Sequence, residues 1–452
     1  MAAKIKRPLA VTPQPTASSR PTPAPASGDA PLLAPFRGLR PTQAAAAGII
    51  APPYDVMTTD EARQFAEGRD YCFFKVSRPE IAMAPGSDPH SSDAYEAARA
   101  ALRRMIEAGV LIRDEAPAYY VYRISDGEHI QTGLAAAAPV AAYETGFIRR
   151  HEFTRPDREL DRAHQIDAVN AQTGPVLAIH RREPAFEALL ETATAATPDC
   201  DVTVDGVRHT VWVVADPDTV AAIGAAAEAL DALYIADGHH RSAAAARVAA
   251  LRREANPDHR GDEAYNAFLV ITFPDDQVRV LDYNRVVYDL NGLTVEAFLA
   301  QVAGAFNVTP SEGPARPMGI HEFGLYVDGE WYRLTLKEPP LADADVLARL
   351  DVSLLADRLL GPILGIGDPR EDMRVDFVGG ARGLEWLEHL VDNGPMAAAF
   401  ALYPTQVETL LEVADAGGIM PPKSTWFEPK LADGLISYPL GGGTFKPSRS
   451  RP

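Results

Sequence analysis

The sequence predicts a mixed α/β protein whose sheets are built largely from antiparallel hairpins. The Asp-Gly pairs Asp126-Gly127, Asp205-Gly206 and Asp328-Gly329 each separate two short runs of strand-forming residues, the signature of a tight hairpin turn. Between the hairpins lie stretches of helical character at 219–231, 239–255, 294–304 and 381–392. This alternation over 452 residues points to α/β or α+β architecture, and the hairpins argue against one doubly wound sheet. No internal repeat of fixed period is present.

Composition narrows the function classes. An apolar fraction of 46% can furnish real cores, and the length calls for two or three domains. A net charge of −19 argues against a nucleic-acid backbone as partner. Cys72 and Cys200 are too few for a disulfide framework or a cysteine zinc site, and fit two ordinary thiols in a reducing cytosol. No segment is long and apolar enough to span a membrane. The expected setting is therefore cytoplasmic, with small-molecule partners, no nucleic acid and no membrane.

Taken in order, residues 1–34 carry Lys4, Lys6 and Arg7, then Pro, Ala, Ser and Thr, with no apolar run after the basic residues. They read as a disordered tail and not a secretory signal. Order is expected from Pro35, with a first α/β domain over 35–145. Phe36-Arg37-Gly38 places Arg37 beside a glycine. In Ala51-Pro52-Pro53-Tyr54-Asp55-Val56 the two prolines force an extended backbone with Tyr54 and Asp55 at its tip. That rigid tip suits a binding loop and equally a structural turn. Thr59 or Asp60 can cap a helix through Glu67. A helix from Ser91 or Ser92 to Ala108 ends at Gly109. A strand Tyr119–Arg123 pairs across Asp126-Gly127 with a second running through Tyr143.

Residues 148–162 hold five arginines, one histidine and four carboxylates. From charge alone this is a solvated face. His151-Glu152 is nevertheless an acid/base pair in type, since a glutamate within reach of a substrate hydroxyl can take its proton. The arginines, Arg162 among them, suit phosphate oxygens.

The stretch Leu233–Ala244 reads as strand, tight turn, helix. Leu233–Ala236 is apolar, Asp237-Gly238 is a turn pair, and an Ala/Arg-rich helix runs from His239 to Ala255 before Asn256-Pro257 stops it. Gly238, His239, His240 and Arg241 thus occupy a helix start, where unpaired N–H groups and the positive end of the dipole bind anions. Cations there disfavour the bare helix, and a bound phosphate removes the conflict. The competing interpretation is a surface turn whose histidines cap and pack. Near the end, a helix over 404–415 precedes Pro421-Pro422-Lys423-Ser424-Thr425-Trp426. Lys423, Ser424 and Thr425 can hold phosphate, or the stretch is a proline-stiffened loop. No P-loop, kinase catalytic loop, nucleophile elbow or zinc-protease motif is present. His151, His239 and His240 could ligate a metal, but adjacent histidines seldom share one.

Together, Phe36-Arg37-Gly38, Ala51–Val56, the His151-Glu152 stretch ending in Asp161-Arg162, Asp237–Arg241 and Pro422–Thr425 resemble the bacterial "domain of unknown function 1015" family, over roughly residues 33 to 437. That family is related to the free-serine kinases of the ParB/sulfiredoxin-like superfamily, which phosphorylate L-serine with ADP or ATP and Mg²⁺. The resemblance implies a central ParB/sulfiredoxin-like nucleotide-binding domain over 146–290, flanked by α/β domains at 35–145 and 291–440, with a loose end over 441–452. It implies Glu152 as base, with His151 beside it and Arg150 where the kinases have proline. It also implies Asp237–Arg241 as nucleotide-phosphate and acceptor loop, with Asp237 touching Mg²⁺, and Lys423-Ser424-Thr425 as a late phosphate element. Sulfiredoxin-like chemistry needs a cysteine in the helix-start loop, and none is there. The kinases lack the region from 35 to about 145. The expectation is a small-molecule kinase using ATP or ADP; the alternatives are a nucleotide or phosphometabolite sensor and a metal-dependent hydrolase.

Overall fold

A computed structural model describes residues 31–441. The two tails expected over 1–34 and 441–452 lie outside the described residues except at their inner edges. At the first of these, Leu32 and Leu33 are buried and Ala34 bridges to Ala137. Packing therefore begins ahead of Pro35, anchored by two leucines inside what reads as a tail.

The larger sheet has eight strands: β1 (Tyr119–Asp126), β2 (His129–Pro139), β3 (Ile148–Arg149), β4 (Val176–His180), β5 (Cys200–Val204), β6 (Val207–Val214), β7 (Leu233–Asp237) and β8 (Ala267–Pro274). Their order is β3-β7-β4-β8-β2-β1-β6-β5. The hairpins expected at Asp126-Gly127 and Asp205-Gly206 form β1/β2 and β5/β6. β7 runs parallel to β3 and β8 parallel to β4, so the sheet is mixed. The second strand stops at Pro139 and not Tyr143, because Val140–Glu144 turn into a short helix.

Strand alternation sorts this sheet into two faces. Tyr120, Tyr122, Leu177, Ile179, Tyr234 and Ala236 face one core layer, while Tyr119, Val121, Val176, Ala178, Leu233 and Ile235 face the other. Three further helices matter to the site: α1 (Ser92–Glu107), α2 (Pro156–Val169) and α3 (His239–Ala255). α3 sends Ala244 and Val248 into the first layer and Ala245 and Ala249 into the second. Its alanines let it sit deep, apolar on more than one side.

A second sheet, all antiparallel, comprises β9 (Tyr283–Val287), β10 (Phe306–Ser311), β11 (Glu322–Val327), β12 (Glu330–Leu336), β13 (Val375–Gly379) and β14 (Ala398–Leu402). Its order is β10-β12-β11-β14-β9-β13, and the Asp328-Gly329 hairpin forms β11/β12. Helix α4 (Val407–Asp415) follows.

The chain then returns to the first sheet. Trp426–Glu428 pairs with Arg279–Leu281, Asp433 with Ala51, Ser437 with Leu39, and Tyr438–Pro439 with Ala171–Gln172. This return brings the chain end against the Pro52-Pro53 loop and the α3 start. The boundaries expected at 145 and 290 do not separate layers. The large sheet takes β1 and β2 from before residue 145, and 426–439 joins segments far from its sequence neighbours. Sequence-local pairing signals cannot reveal such returns, because their cost and reward lie in long-range contacts. Among the described residues no helix is long and apolar enough to cross a membrane.

Candidate functional site

The site grows from the end of β7. Its register against β4 shifts between Ile235 and Asp237, a bulge of the kind that re-aims side chains beside functional sites. Gly238 follows at φ 99°, ψ 26°, where an L side chain is strained. A Cβ there would also stand 3.0 Å from Arg241 Nε. Ser242 N–H donates to the Gly238 carbonyl (3.0 Å), the first helical bond. The N-cap has no side-chain acceptor and the first turn no acid, so the early N–H groups face outward as the sequence predicts.

Arg241 is buried, donating to Asp237 Oδ2 (2.8 Å) and to the Pro175 carbonyl. Burial opposes the Asp237 charge, but Lys430 and then Arg241 outweigh it and hold its carboxyl well below the usual range.

β3 lies beside β7, with Ile148 opposite Leu233 and Arg149 opposite Tyr234. Two residues past that strand, His151 reaches the helix start. The His151 and His239 rings meet edge to face at 4.6 Å, and Glu152 Oε2 lies 3.8 Å from His239 Nδ1. Neither nitrogen of His151 nor Nε2 of His239 makes a hydrogen bond of regular geometry, although the Ile235 carbonyl lies near enough to His151 to favour its charged form. Burial pushes His151 down to about 4. Burial, then His151, pushes His239 well below its usual value, so both rings are neutral at pH 7. Burial raises the Glu152 carboxyl, against the pull of Lys423. His240 is half-buried, and its Nε2 accepts from the Arg155 N–H (3.0 Å).

The Pro52-Pro53 loop does reach this cluster. Tyr54 lies under the Arg162 guanidinium, 4.3 Å from ring centroid to carbon. Burial, reinforced by Asp55, pushes its phenol up to about 12. Exposed Asp55 also acts on His240, Arg241 and Lys423. Arg162 is fixed by Asp161 (2.9 and 2.5 Å), which also accepts from Tyr95 (2.7 Å) on α1 and contacts His90 (2.6 Å). Arg37 is not drawn in: it is exposed and donates to the Asp114 carbonyl (3.0 Å). Its neighbour Gly38 explains that motif, since a Cβ would meet Tyr120 Oη at 2.5 Å.

From the returning chain, Lys423 sits in the left-handed region (φ 59°) with its ammonium 5.6 Å from the Tyr283 ring centroid. Burial opposes its charge, but Tyr283 and Glu152 prevail and raise its pKa. Ser424 departs from expectation. Its hydroxyl donates to the Pro421 carbonyl (2.6 Å) and its own carbonyl accepts from Thr405 (2.8 Å), so it holds the turn. Thr425 is half-buried beside it.

Sequence reasoning missed Lys430 and Asp433. Lys430 leads the charges acting on Asp237 and stands 4.7 Å over the Trp426 ring. Asp433 is 1% exposed with neither carboxylate oxygen partnered, and burial pushes it up to about 7. Asp433-Gly434 carries only a turn signal in sequence, and Gly434 indeed has φ 82°. No group of three or more His, Cys, Asp or Glu suited to a metal ion assembles among the described residues.

These features define an α/β protein with an uncapped helix start ringed by arginine, lysine, histidine and carboxylate. The chain belongs to the family described as protein of unknown function (DUF1015), whose model matches residues 33–353. Lys423–Thr425 fall beyond that match. No curated protein matches the chain in sequence. Three solved structures are distantly similar. A conserved hypothetical protein from Pyrococcus furiosus is 13% identical over 66% of this chain and 93% of its own, with TM-score 0.32. A free serine kinase in complex with AMP is 12% identical over 65% and 86%, with TM-score 0.33. SbnI with a C-terminal truncation, from Staphylococcus aureus, is 13% identical over 68% and 87%, with TM-score 0.34. Identities this low assign no residue roles.

Proposed function

We propose that this protein is a small-molecule kinase that transfers a phosphoryl group from ATP or ADP to the hydroxyl of a free amino acid, L-serine being the first candidate. The observation that carries the proposal is Glu152: a carboxyl with a raised pKa, 3.8 Å from His239 at an uncapped helix start. Phosphoryl transfer needs positioning and charge neutralisation more than covalent chemistry. The first-turn N–H groups of α3 receive phosphate oxygens, and Lys423 and Lys430 offset their charge. Arg241 acts mainly as a post, since Asp237 and the Pro175 carbonyl already hold it. Neutral His239 and His151 keep the wall free of a competing charge.

Glu152 takes the hydroxyl proton as the acceptor oxygen bonds to the terminal phosphorus. The bond from that phosphorus to the bridging oxygen breaks, and the nucleotide leaves one phosphate shorter. Mg²⁺, when bound, would supply neutralisation of phosphate charge. Asp237 can add one carboxylate oxygen, its Oδ2 being committed to Arg241.

The test is ³¹P NMR of the protein with Mg²⁺, ATP or ADP, and L-serine, followed by other hydroxyl-bearing acceptors. A phosphomonoester signal is expected, falling about 10²- to 10⁴-fold in rate for Glu152→Gln, with nucleotide affinity unchanged by calorimetry. Equal rates in that variant remove Glu152 as base. The tethering of Arg241 and Ser424 favours one second reading, a sensor that binds nucleotide without turnover. Binding with no new phosphorus signal across the panel would select it.

A further inference from the structure

A cavity of about 30 Å³ adjoins the helix start, lined among others by Tyr54, Ser77, Arg162, Gln165, Arg241 and Asp433. That is room for about two water-sized groups. Its charges do not balance. Arg241 is neutralised by Asp237 and Arg162 by Asp161. Asp433 is left over, 1% exposed, with both oxygens unpartnered. The buried Ser77 hydroxyl is near enough to draw the Asp433 carboxyl down a little, yet it makes no hydrogen bond of regular geometry.

The placement of Asp433 is fixed by its backbone, which exchanges two hydrogen bonds with Ala51 (2.8 and 3.1 Å). Gly174 leaves the gap between Arg241 and Asp433 open: a Cβ there would stand 3.1 Å from Arg241 Cδ and 3.5 Å from Asp433 Oδ1. A buried carboxylate without partner is costly, and such groups normally meet a cation or a donor.

We propose that this cavity receives the primary ammonium group of a small ligand. Two carboxylate oxygens and one hydroxyl offer three acceptor atoms, and an ammonium has three donors to match them and a positive charge to set against the carboxylate. A divalent metal wants six or more oxygen ligands, which this wall does not supply. Resting on the phosphotransfer reading, the ligand is the acceptor, and it is then an amino alcohol or hydroxy amino acid and not a simple alcohol.

The experiment is calorimetry on the full-length wild type, with and without ADP, using L-serine, ethanolamine and methylamine against 3-hydroxypropionate, which keeps the hydroxyl and lacks the amine. The amines are expected to bind at least about tenfold tighter than 3-hydroxypropionate, the worth of a charge-assisted hydrogen bond. Asp433→Asn should erase that difference while ADP affinity stays put. Equal affinities, or no amine binding in either condition, overturn the inference and leave a water-filled cavity. Amine binding without ADP binding sinks the phosphotransfer reading alone. If Asp433→Asn does not fold, the wild-type ligand comparison still decides, with Ser77→Ala as the second variant.

Discussion

The α3 start and the six-stranded sheet treat buried polar groups in opposite ways. In the sheet region, Asn284 is fully buried and satisfied on both sides: its Nδ2 donates to Asp282 (2.5 Å) and its Oδ1 accepts from Leu402 N–H (3.0 Å). Trp331 donates to Glu388 (2.7 Å) and Tyr326 to Asp392 (2.9 Å). Among the described residues, the one buried side-chain atom without partner between 283 and 402 is Arg349 Nε. Around the helix start and its cavity there are six: Ser77 Oγ, both nitrogens of His151, Nε2 of His239 and both oxygens of Asp433. An orphaned buried group costs about 1–3 kcal/mol. Six gathered at one place, beside an uncapped helix, are open to partners that a ligand or bound water can supply. The sheet, by contrast, is finished without one.

The largest expected effect probes the finished half. Asn284→Ala strands Asp282 Oδ2 and the Leu402 N–H together, so about 3 kcal/mol of stability should be lost. Urea unfolding would read this as a lower midpoint with an unchanged slope. A loss below about 1 kcal/mol would mean that water replaces the asparagine, and the contrast between the halves would weaken.

A pH titration probes the other half. His151 is held at about 4 when folded and takes its ordinary value of about 6.5 when unfolded. The unfolded chain therefore binds the extra proton between those values, and stability falls as pH drops from 6.5 towards 4. At about 1.4 kcal/mol per unit, this one ring contributes up to about 3 kcal/mol to the acid limb. His151→Gln should flatten that limb, by about 2 kcal/mol of the total between pH 7 and 5, in urea melts at pH 7, 6 and 5. An identical slope in variant and wild type would show that the ring is hydrated and not buried neutral.

Much of the fold and part of the site are legible in the amino-acid sequence. Asp-Gly pairs between β-branched runs announce three hairpins, because a two-residue turn with left-handed residues is a local requirement written in local residues. The helix from His239 to Ala255 is bounded by Gly238 and Asn256-Pro257, as the sequence predicts, and the absence of an acid or a side-chain cap in its first turn follows from residue type. Helix 59–66 differs by one residue at its start: Thr58, not Thr59 or Asp60, forms the cap, and Glu61 closes a capping box. Asp433 and Lys430 are not legible. They matter through burial and through the return of 426–439 across both Ala51 and α3, and a turn dipeptide reads the same whether it faces solvent or a cavity. Ser424 misleads for a related reason. A serine in a Pro-rich loop can donate to a ligand or to its own turn, and only the Pro421 carbonyl at 2.6 Å decides.

A smaller effect tests whether Lys430 belongs to the ligand or to the fold. Lys430→Met keeps the packing on Trp426 but removes the leading charge that acts on Asp237. Nucleotide affinity should weaken about tenfold, equal to ~1.4 kcal/mol. The pKa of Glu152 should rise further, since Lys430 lowers it now, and the pH–rate profile should move upward with it. Unchanged affinity with lost stability would return Lys430 to a structural role.

The smallest effect sharpens the comparison most. Ser77 is 5% exposed and its hydroxyl makes no hydrogen bond of regular geometry, so Ser77→Ala removes an unmet group and costs Asp433 only the weak pull of that hydroxyl. Its stability should stay within about 0.5 kcal/mol of wild type or rise slightly, as measured by urea melts run beside Asn284→Ala. Amine binding in the cavity should weaken in the same variant. A gain or standstill in stability together with a loss of binding is the signature of a group kept for a ligand. A loss of more than about 1 kcal/mol would show that Ser77 already has a structural partner, such as a bound water. The orphans around α3 would then be part of a finished interior like that of the six-stranded sheet.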